Sequence, residues 1–217
     1  MPLTGRTDRT RLRGISIGDA GSENGRGDFV FPSYQQIRQV AEAAGIAVWL
    51  MRGCGLRIEE ALAVHREDFR SARTLRLSGQ ATRGGSRKVP LKGRKNDEYR
   101  DVPVPAWLWE MVKDLPDGPL CSGVRGNTYA GYNGVRAKFK RASVLAGIPE
   151  GFRPHSLRHA FASTLLSRNV PITDVARWLG HKDINVTYAI YSHFMPEAED
   201  RAQEVLNAEY AEWSSAA

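Results

Sequence analysis

Cysteine is almost absent. Cys54 and Cys121 are the two in 217 residues, and they stand far apart. A disulfide framework and a cysteine-built zinc site are both excluded, and reduced thiols in a cytosolic chain are the expectation. Histidine is thin as well. His65, His155, His159, His181 and His193 have no HExxH-type spacing, so a metal hydrolase is not expected and no metal is assigned. Long apolar runs are missing. The longest, "AAGIAVWLM" at 43–51, is far too short to cross a bilayer. The N-terminus lacks the apolar core of a secretory signal. No internal repeat recurs.

What the chain has is positive charge. Its 31 Lys+Arg against 24 Asp+Glu give +7, with a sequence pI near 9.6. That balance points first to nucleic acid and then to acidic membrane surfaces. The charge is unevenly spread. Residues 194–217 hold six acids and one base, and residues 1–28 hold five arginines and four acids. The middle, 29–193, therefore carries +11, so the basic character belongs to the folded body.

Composition divides the chain in the same places. Residues 1–28 contain six glycines and no apolar periodicity, which reads as a disordered lead. Ser33 with Gln36 makes a capping-box start, and Ile37, Val40 and Ala44 follow as a helical stripe. A second helical pair runs through "GIAVWLMRGCGLRIEEALAVHREDF", broken by Gly53 and Gly55. Three short alternating runs, "RTLRLSG", "RKVPLKG" and "YRDVPVP", read as a small antiparallel sheet. Helical patterns then resume. One places Tyr129, Tyr132, Val135, Phe139, Ala142 and Ala146 on one face. Others are "HSLRHAFASTLLSRN", "PITDVARWLG" with Pro171 at its start, and a short segment at 184–191. The expected fold class is α+β, mostly α-helical with a three-stranded antiparallel sheet. The layout is a lead at 1–28, a body at 29–193 and an acidic helical tail at 194–217. The tail's stripe is Ala202, Leu206, Tyr210 and Trp213.

Four places can carry chemistry. In "PHSLRHAF", His155 and Arg158 are three apart and share a helix face, while Leu157, Phe161 and Leu165 form a separate apolar stripe. An arginine fork suits two phosphate oxygens, and a histidine can move a proton near neutral pH. The plain alternative is a surface pair at a helix start. In "GCGLRIEEAL", Arg57 sits among apolar neighbours, an odd place for a solvated charge. Pairing with Glu60 or Asp68 to fix the helix is the plain reading, and both can hold. Residues 70–100 contain ten Lys+Arg against Asp97 and Glu98. Such a hairpin can lie along a phosphate backbone, with Arg87, Lys88, Arg94 and Arg100 as DNA contacts. A solvated hairpin edge is the alternative. In "LGHKDINVTYAIYSHF", Gly180 ends a helix, His181 follows, and Tyr188 and Tyr191 lie three apart, on roughly one helix face. Free tyrosine, with a pKa near 10, is a poor nucleophile at neutral pH. It needs cations, a proton acceptor and a polarised phosphate.

Together, Arg57, a hairpin lysine, His155-x-x-Arg158, Gly180-His181 and Tyr191 resemble the tyrosine recombinase (phage integrase) family. That family's pattern is Arg…Lys…His-x-x-Arg…Gly-His…Tyr. "GLRIEEAL" resembles its first arginine box, and "HSLRHAFAS" with "LGHKDINVTYAIYSHF" its second. The hairpin style is similar to integrases of actinobacterial phages and mobile elements. The resemblance covers about residues 30–194.

The resemblance implies a DNA breaking-rejoining catalytic domain that works without metal or nucleotide cofactor. Arg57 and Arg158 would clamp the scissile phosphate, and Tyr191 would attack it to form a 3′-phosphotyrosyl link. His155 would be the general base, and His181 would hydrogen-bond a phosphate oxygen. Lys92, or alternatively Lys95, would protonate the leaving 5′-oxygen. Tyr188 would pack or touch phosphate. The partner would be double-stranded DNA attachment sites, with a homotetramer on DNA, a monomer in isolation and a nucleoid-associated place in the bacterial cytoplasm. The tail would pack on a neighbouring protomer or fold back on its own domain. The family's integrases normally carry a separate helical core-binding domain, whereas only residues 1–28 precede this body. A catalytic fragment, a minimal member and a remnant of a larger gene all fit that. The rivals are an inactive DNA-binding remnant and type IB topoisomerase-like strand relaxation.

Overall fold

The chain is described by a computed structural model covering residues 30–124, 126–195 and 199–215. The expected lead at 1–28 lies outside the described residues. Helix α1 (Tyr34–Ala44) starts where the sequence predicts. The Ser33 hydroxyl accepts from the Gln36 N–H, and the Gln36 side chain accepts from the Ser33 N–H. Its buried face is Ile37, Val40, Ala41 and Ala44. Helix α2 (Ala47–Cys54) ends at Gly55, whose φ of +68° is left-handed. The ring of Phe161 fills the space where a Gly55 Cβ would stand, 2.5 Å from its nearest atom. Both the turn and the packing therefore require glycine there. Helix α3 (Ile58–Leu62) follows at once.

The sheet is antiparallel and three-stranded, in the order β1 (Phe69–Ser71), β2 (Thr74–Leu77) and β5 (Arg100–Pro103). Strands β3 (Gln80–Ala81) and β4 (Lys88–Val89) form a separate two-stranded ribbon. The expectation that "RKVPLKG" supplies a strand of the sheet is thus corrected. Pro90 cannot donate a ladder bond just past β4. Gly79, where a Cβ would lie 2.7 Å from the Val89 carbonyl, brings the ribbon's own strands together. Phe69, buried against Trp109, supplies the edge strand in its place.

Helices α4 (Ala106–Val112), α5 (Tyr132–Leu145), α6 (Pro154–Leu166), α7 (Ile172–Leu179) and α8 (Ile184–Tyr191) complete the body. A large apolar core joins α1 to α5, the sheet and the start of α6. A smaller one under α6, α7 and α8 contains Phe161, Leu166, Val175, Leu179 and Tyr191. Each such side chain, fully buried, contributes roughly 1.5–3 kcal/mol. Helix α9 (Glu199–Ser215) is the tail. Its residues 202–209 are exposed, with Leu206 at 62%. The side chains of Tyr210 and Trp213 lie outside the described residues.

One buried ion pair ties the sheet to the helices. On β5, Arg100 pairs with Leu77 and Val102 with Leu75. The two-residue period of a strand therefore turns Arg100 to the core side with Val102. There its Nη1 and Nη2 donate to Glu60 Oε1 and Oε2 at 3.0 and 2.6 Å. Its Nε donates to the Trp178 carbonyl near the end of α7, at 2.9 Å. Glu60 is wholly buried. Burial alone would push its carboxyl up, but the charge and bonds of Arg100, then the charges of Arg57 and Arg158, hold it down at about 2.

Glu60→Ala leaves Arg100 buried and unpaired, and is expected to cost about 3–5 kcal/mol in a urea titration. The Glu60 carboxyl titrates well below its ordinary value in the folded state. Its contribution is therefore complete above about pH 4.5 and lost as pH falls toward about 2. The acid limb of the stability profile should lose that step in Glu60→Gln. Gly55→Ala should lower stability by on the order of 1–3 kcal/mol through the clash with Phe161, read as a lower urea midpoint at constant slope.

Candidate active site

The first turn of α6 builds one wall. Pro154 occupies the first helical position, and the Arg153 N–H donates to the Ser156 hydroxyl at 3.1 Å. His155 stands exposed on the rim. One turn on, Arg158 is 1% exposed. The expected common face is therefore split by depth. Arg158 Nη1 donates to the Gly55 carbonyl at 2.7 Å, and Nη2 donates to the Leu179 carbonyl. Nη2 also donates to His181 Nε2 at 3.2 Å. Burial, then the Arg57 charge, press the Arg158 pKa down to about 9, which leaves it a cation at neutral pH.

Arg57 faces it from the start of α3. Its Nη1 donates to Glu60 Oε1 at 3.0 Å, and its side chain keeps 28% exposure. The plain reading of this residue holds: it is paired with Glu60, while part of its side chain stays open to solvent. His181 follows the left-handed Gly180 that ends α7. Arginine only donates, so Nε2 of His181 accepts from Arg158. Nδ1 then carries the proton and donates to the buried Thr187 hydroxyl at 2.8 Å. Burial, then the charges of Arg158 and Arg57, lower the pKa of half-buried His181 to about 4; at the rim, loss of water on the inner side of the His155 ring and the same arginines shift it downward too, so both rings are neutral at pH 7.

The two tyrosines part company. Tyr188 is 59% exposed, and Tyr191 is 1% exposed. The Tyr191 Oη lies 2.6 Å from His159 Nδ1. Burial pushes its phenol above the ordinary value, against a smaller opposing pull from Arg158. His159 is thereby a site residue that the sequence pattern did not single out, and Thr187 is another. The His159 signal was its place beside Arg158, one turn from His155. Its contact with Tyr191 joins positions 32 apart, so spacing could not reveal it.

Both candidate lysines are exposed in the turn between β4 and β5. At Gly93, next to Lys92, a Cβ would lie 3.6 Å from Lys182 Cε, so the Lys92 end of the turn rests against the Lys182 side chain. The Lys95 carbonyl accepts the Glu98 N–H within the turn. Of the four hairpin cations, Arg87 is exposed. Lys88 pairs with Asp68 at 3.4 Å, and Arg94 donates to the Tyr99 carbonyl at 3.2 Å. Arg100 is 5% exposed and bound to Glu60, so its expected DNA contact is corrected to an internal one. Among the described residues, no cluster of His, Cys, Asp or Glu could hold a metal ion, and no helix is long and apolar enough to cross a membrane.

Known proteins resemble this chain in sequence and in fold. The phage integrase family model matches residues 33–197. A "Tyrosine recombinase XerC-like" protein of Caldanaerobacter subterraneus is 29% identical over 210 residues, covering 81% of this chain and 53% of the relative. Tyrosine recombinase XerC of Agrobacterium fabrum is 32% identical over 142 residues, covering 64% of this chain and 42% of the relative. The chain thus spans about half the length of the curated relatives it matches. The catalytic domain of bacteriophage HP1 integrase superposes with a TM-score of 0.55 at 23% identity, over 81% of this chain and 94% of that one. The Tn1549 transposon integrase in complex with transposon right-end DNA gives 0.63 at 17% identity, over 93% and 68%. These structures share the fold, mostly helical with a small antiparallel sheet. By sequence and by architecture, this chain belongs to the phage integrase family.

Proposed function

We propose that the chain is the catalytic part of a site-specific DNA recombinase, which cuts and rejoins strands through a 3′-phosphotyrosyl link at Tyr191. One observation carries this reading. Residues from α3, α6, the α7–α8 turn and α8, up to 134 positions apart in the chain, converge as two guanidiniums, neutral imidazoles and one buried phenol. Arg57 and Arg158 face a common space and lack enough carboxylate to neutralise them. A phosphodiester is the anion that such a pair suits, and both charges stabilise the five-coordinate transition state. Glu60 orients Arg57, while two carbonyls orient Arg158.

The reaction needs little else. Phosphotyrosine keeps the energy of the broken bond, so a 5′-hydroxyl can reverse the step with no metal or nucleotide. Lys92, on the turn end that rests against the Lys182 side chain, is the acid for the leaving 5′-oxygen, with Lys95 the alternative. Arg87 and the exposed face of the hairpin contact the DNA backbone. Tyr191 is buried in the DNA-free protein, so local opening must precede attack. The exposed Val205–Leu206 face of α9, at 62% each, suits packing on a neighbouring protomer in a DNA-bound tetramer. In isolation the protein is a monomer.

The test uses a pool of nicked duplexes with randomised arms, on which the covalent adduct is trapped and its tyrosine mapped. Tyr191→Phe should abolish the adduct and Tyr188→Phe should keep it; the opposite result refutes the reading. Arg158→Ala should lose about 10²–10³-fold in cleavage rate. A 5′-bridging thiophosphate should restore cleavage to Lys92→Ala and leave Lys95→Ala unaffected, because only loss of the general acid is cured by a better leaving group. DNA binding should be micromolar or weaker at physiological salt and should weaken steeply as salt rises, measured by fluorescence anisotropy.

A further inference from the structure

We infer that His159, rather than His155, is the base that takes the proton of Tyr191. This deepens the strand-transfer reading above and rests on it. The imidazole in direct hydrogen-bond contact with the phenol oxygen is His159, at 2.6 Å through Nδ1. That is within the reach a general base needs. His155 packs its ring edge-to-face on His159, with centroids 4.6 Å apart. It fixes the His159 ring from the solvent side. His159 also follows Arg158 directly on α6, so the phosphate clamp and the base ride on one helix. A tyrosine oxygen drawn to a phosphate held by Arg158 stays beside His159.

The surrounding charge makes this base conditional. Burial above all, with the positive charge of Arg158, depresses its pKa to about 3, so at rest the ring is neutral and cannot hold an extra proton. A phosphodiester entering between Arg57 and Arg158 brings a negative charge into the same space. That charge offsets the cations and favours the imidazolium. The phenol is therefore deprotonated only when a phosphate is present to attack. The step balances as follows. The Oη–H bond of Tyr191 breaks and its proton passes to His159 Nδ1. The Oη–P bond forms, the P–O5′ bond breaks, and the leaving 5′-oxygen takes a proton from Lys92. On rejoining, the 5′-hydroxyl attacks, its proton returns to the lysine, and His159 returns its proton to the phenolate.

The experiment measures single-turnover adduct formation by the full chain on the same pool of nicked duplexes. His159→Ala and the size-matched His159→Gln are made with Tyr191 either natural or replaced site-specifically by the more acidic difluorotyrosine. Removing a general base should slow adduct formation by about 10²–10⁴-fold, and the acidic phenol should restore much of that loss. Loss in His155→Ala should not be restored. An unchanged or faster rate in both His159 variants overturns the inference, because the bond is then only a resting contact. A loss that difluorotyrosine does not restore overturns it too. A DNA-free arm separates this from failure of the functional reading: the 15N resonance of His159 Nδ1 should shift in Tyr191→Phe. If it does not move, the inference fails while strand transfer stands. If the natural chain forms no adduct with any duplex, strand transfer falls and takes the inference with it.

Discussion

The carboxylate of Glu60 is the point on which the site hangs. Its Oε1 accepts from Arg57 Nη1 and Arg100 Nη1, and its Oε2 from the Arg57 backbone N–H and Arg100 Nη2. Four donors saturate it. Arg57 is thereby aimed, and α3 is capped by the same contact. Through Arg100 the link continues to the Trp178 carbonyl and the turn that presents His181. Gly180 lacks a Cβ where Arg100 passes, at 3.2 Å, so that turn can close over the guanidinium. The sheet matters here chiefly as the platform that carries Arg100 inward.

Charge in the site is deliberately out of balance. Among the described residues Glu60 is the one buried carboxylate; Arg57 and Arg100 pair with it, and Arg158 adds a third guanidinium nearby. Such an excess is costly in a dry interior unless backbone carbonyls help, and those of Gly55, Leu179 and Trp178 do. Burial first, and this surplus after it, keep the imidazoles nearby neutral.

Much of this was legible in the sequence. The capping box at Ser33 and the motifs around Arg57, His155, Arg158, His181 and Tyr191 are local patterns, and local patterns survive folding. What was illegible depends on long-range contact. The bond from His159 to Tyr191 joins two helices, and the Arg57–Glu60–Arg100 chain joins a helix start to a strand. Arg100 was misread because a count of cations treats each alike. Its alternation with Val102, opposite Leu77 and Leu75, is the signal that it faces inward. One of the three sheet strands, in "RKVPLKG", was misassigned because two-residue strands such as β3 and β4 are too short for a period to choose their partners. Tyr188 and Tyr191 share a spacing but not an environment, because α8 lies on the body and buries one side.

The hydroxyl of Thr187 has a consequence beyond holding a ring in place. It now accepts from His181 Nδ1, which leaves Nε2 as an acceptor for Arg158. A hydroxyl also donates, so it can serve the opposite tautomer equally well, with Nε2–H pointing at an incoming anion. A carboxylate at 187 would lock the ring in the first form. With threonine there, one neutral histidine can turn either an acceptor or a donor toward its Nε2 side, reversing its polarity with no change in net charge.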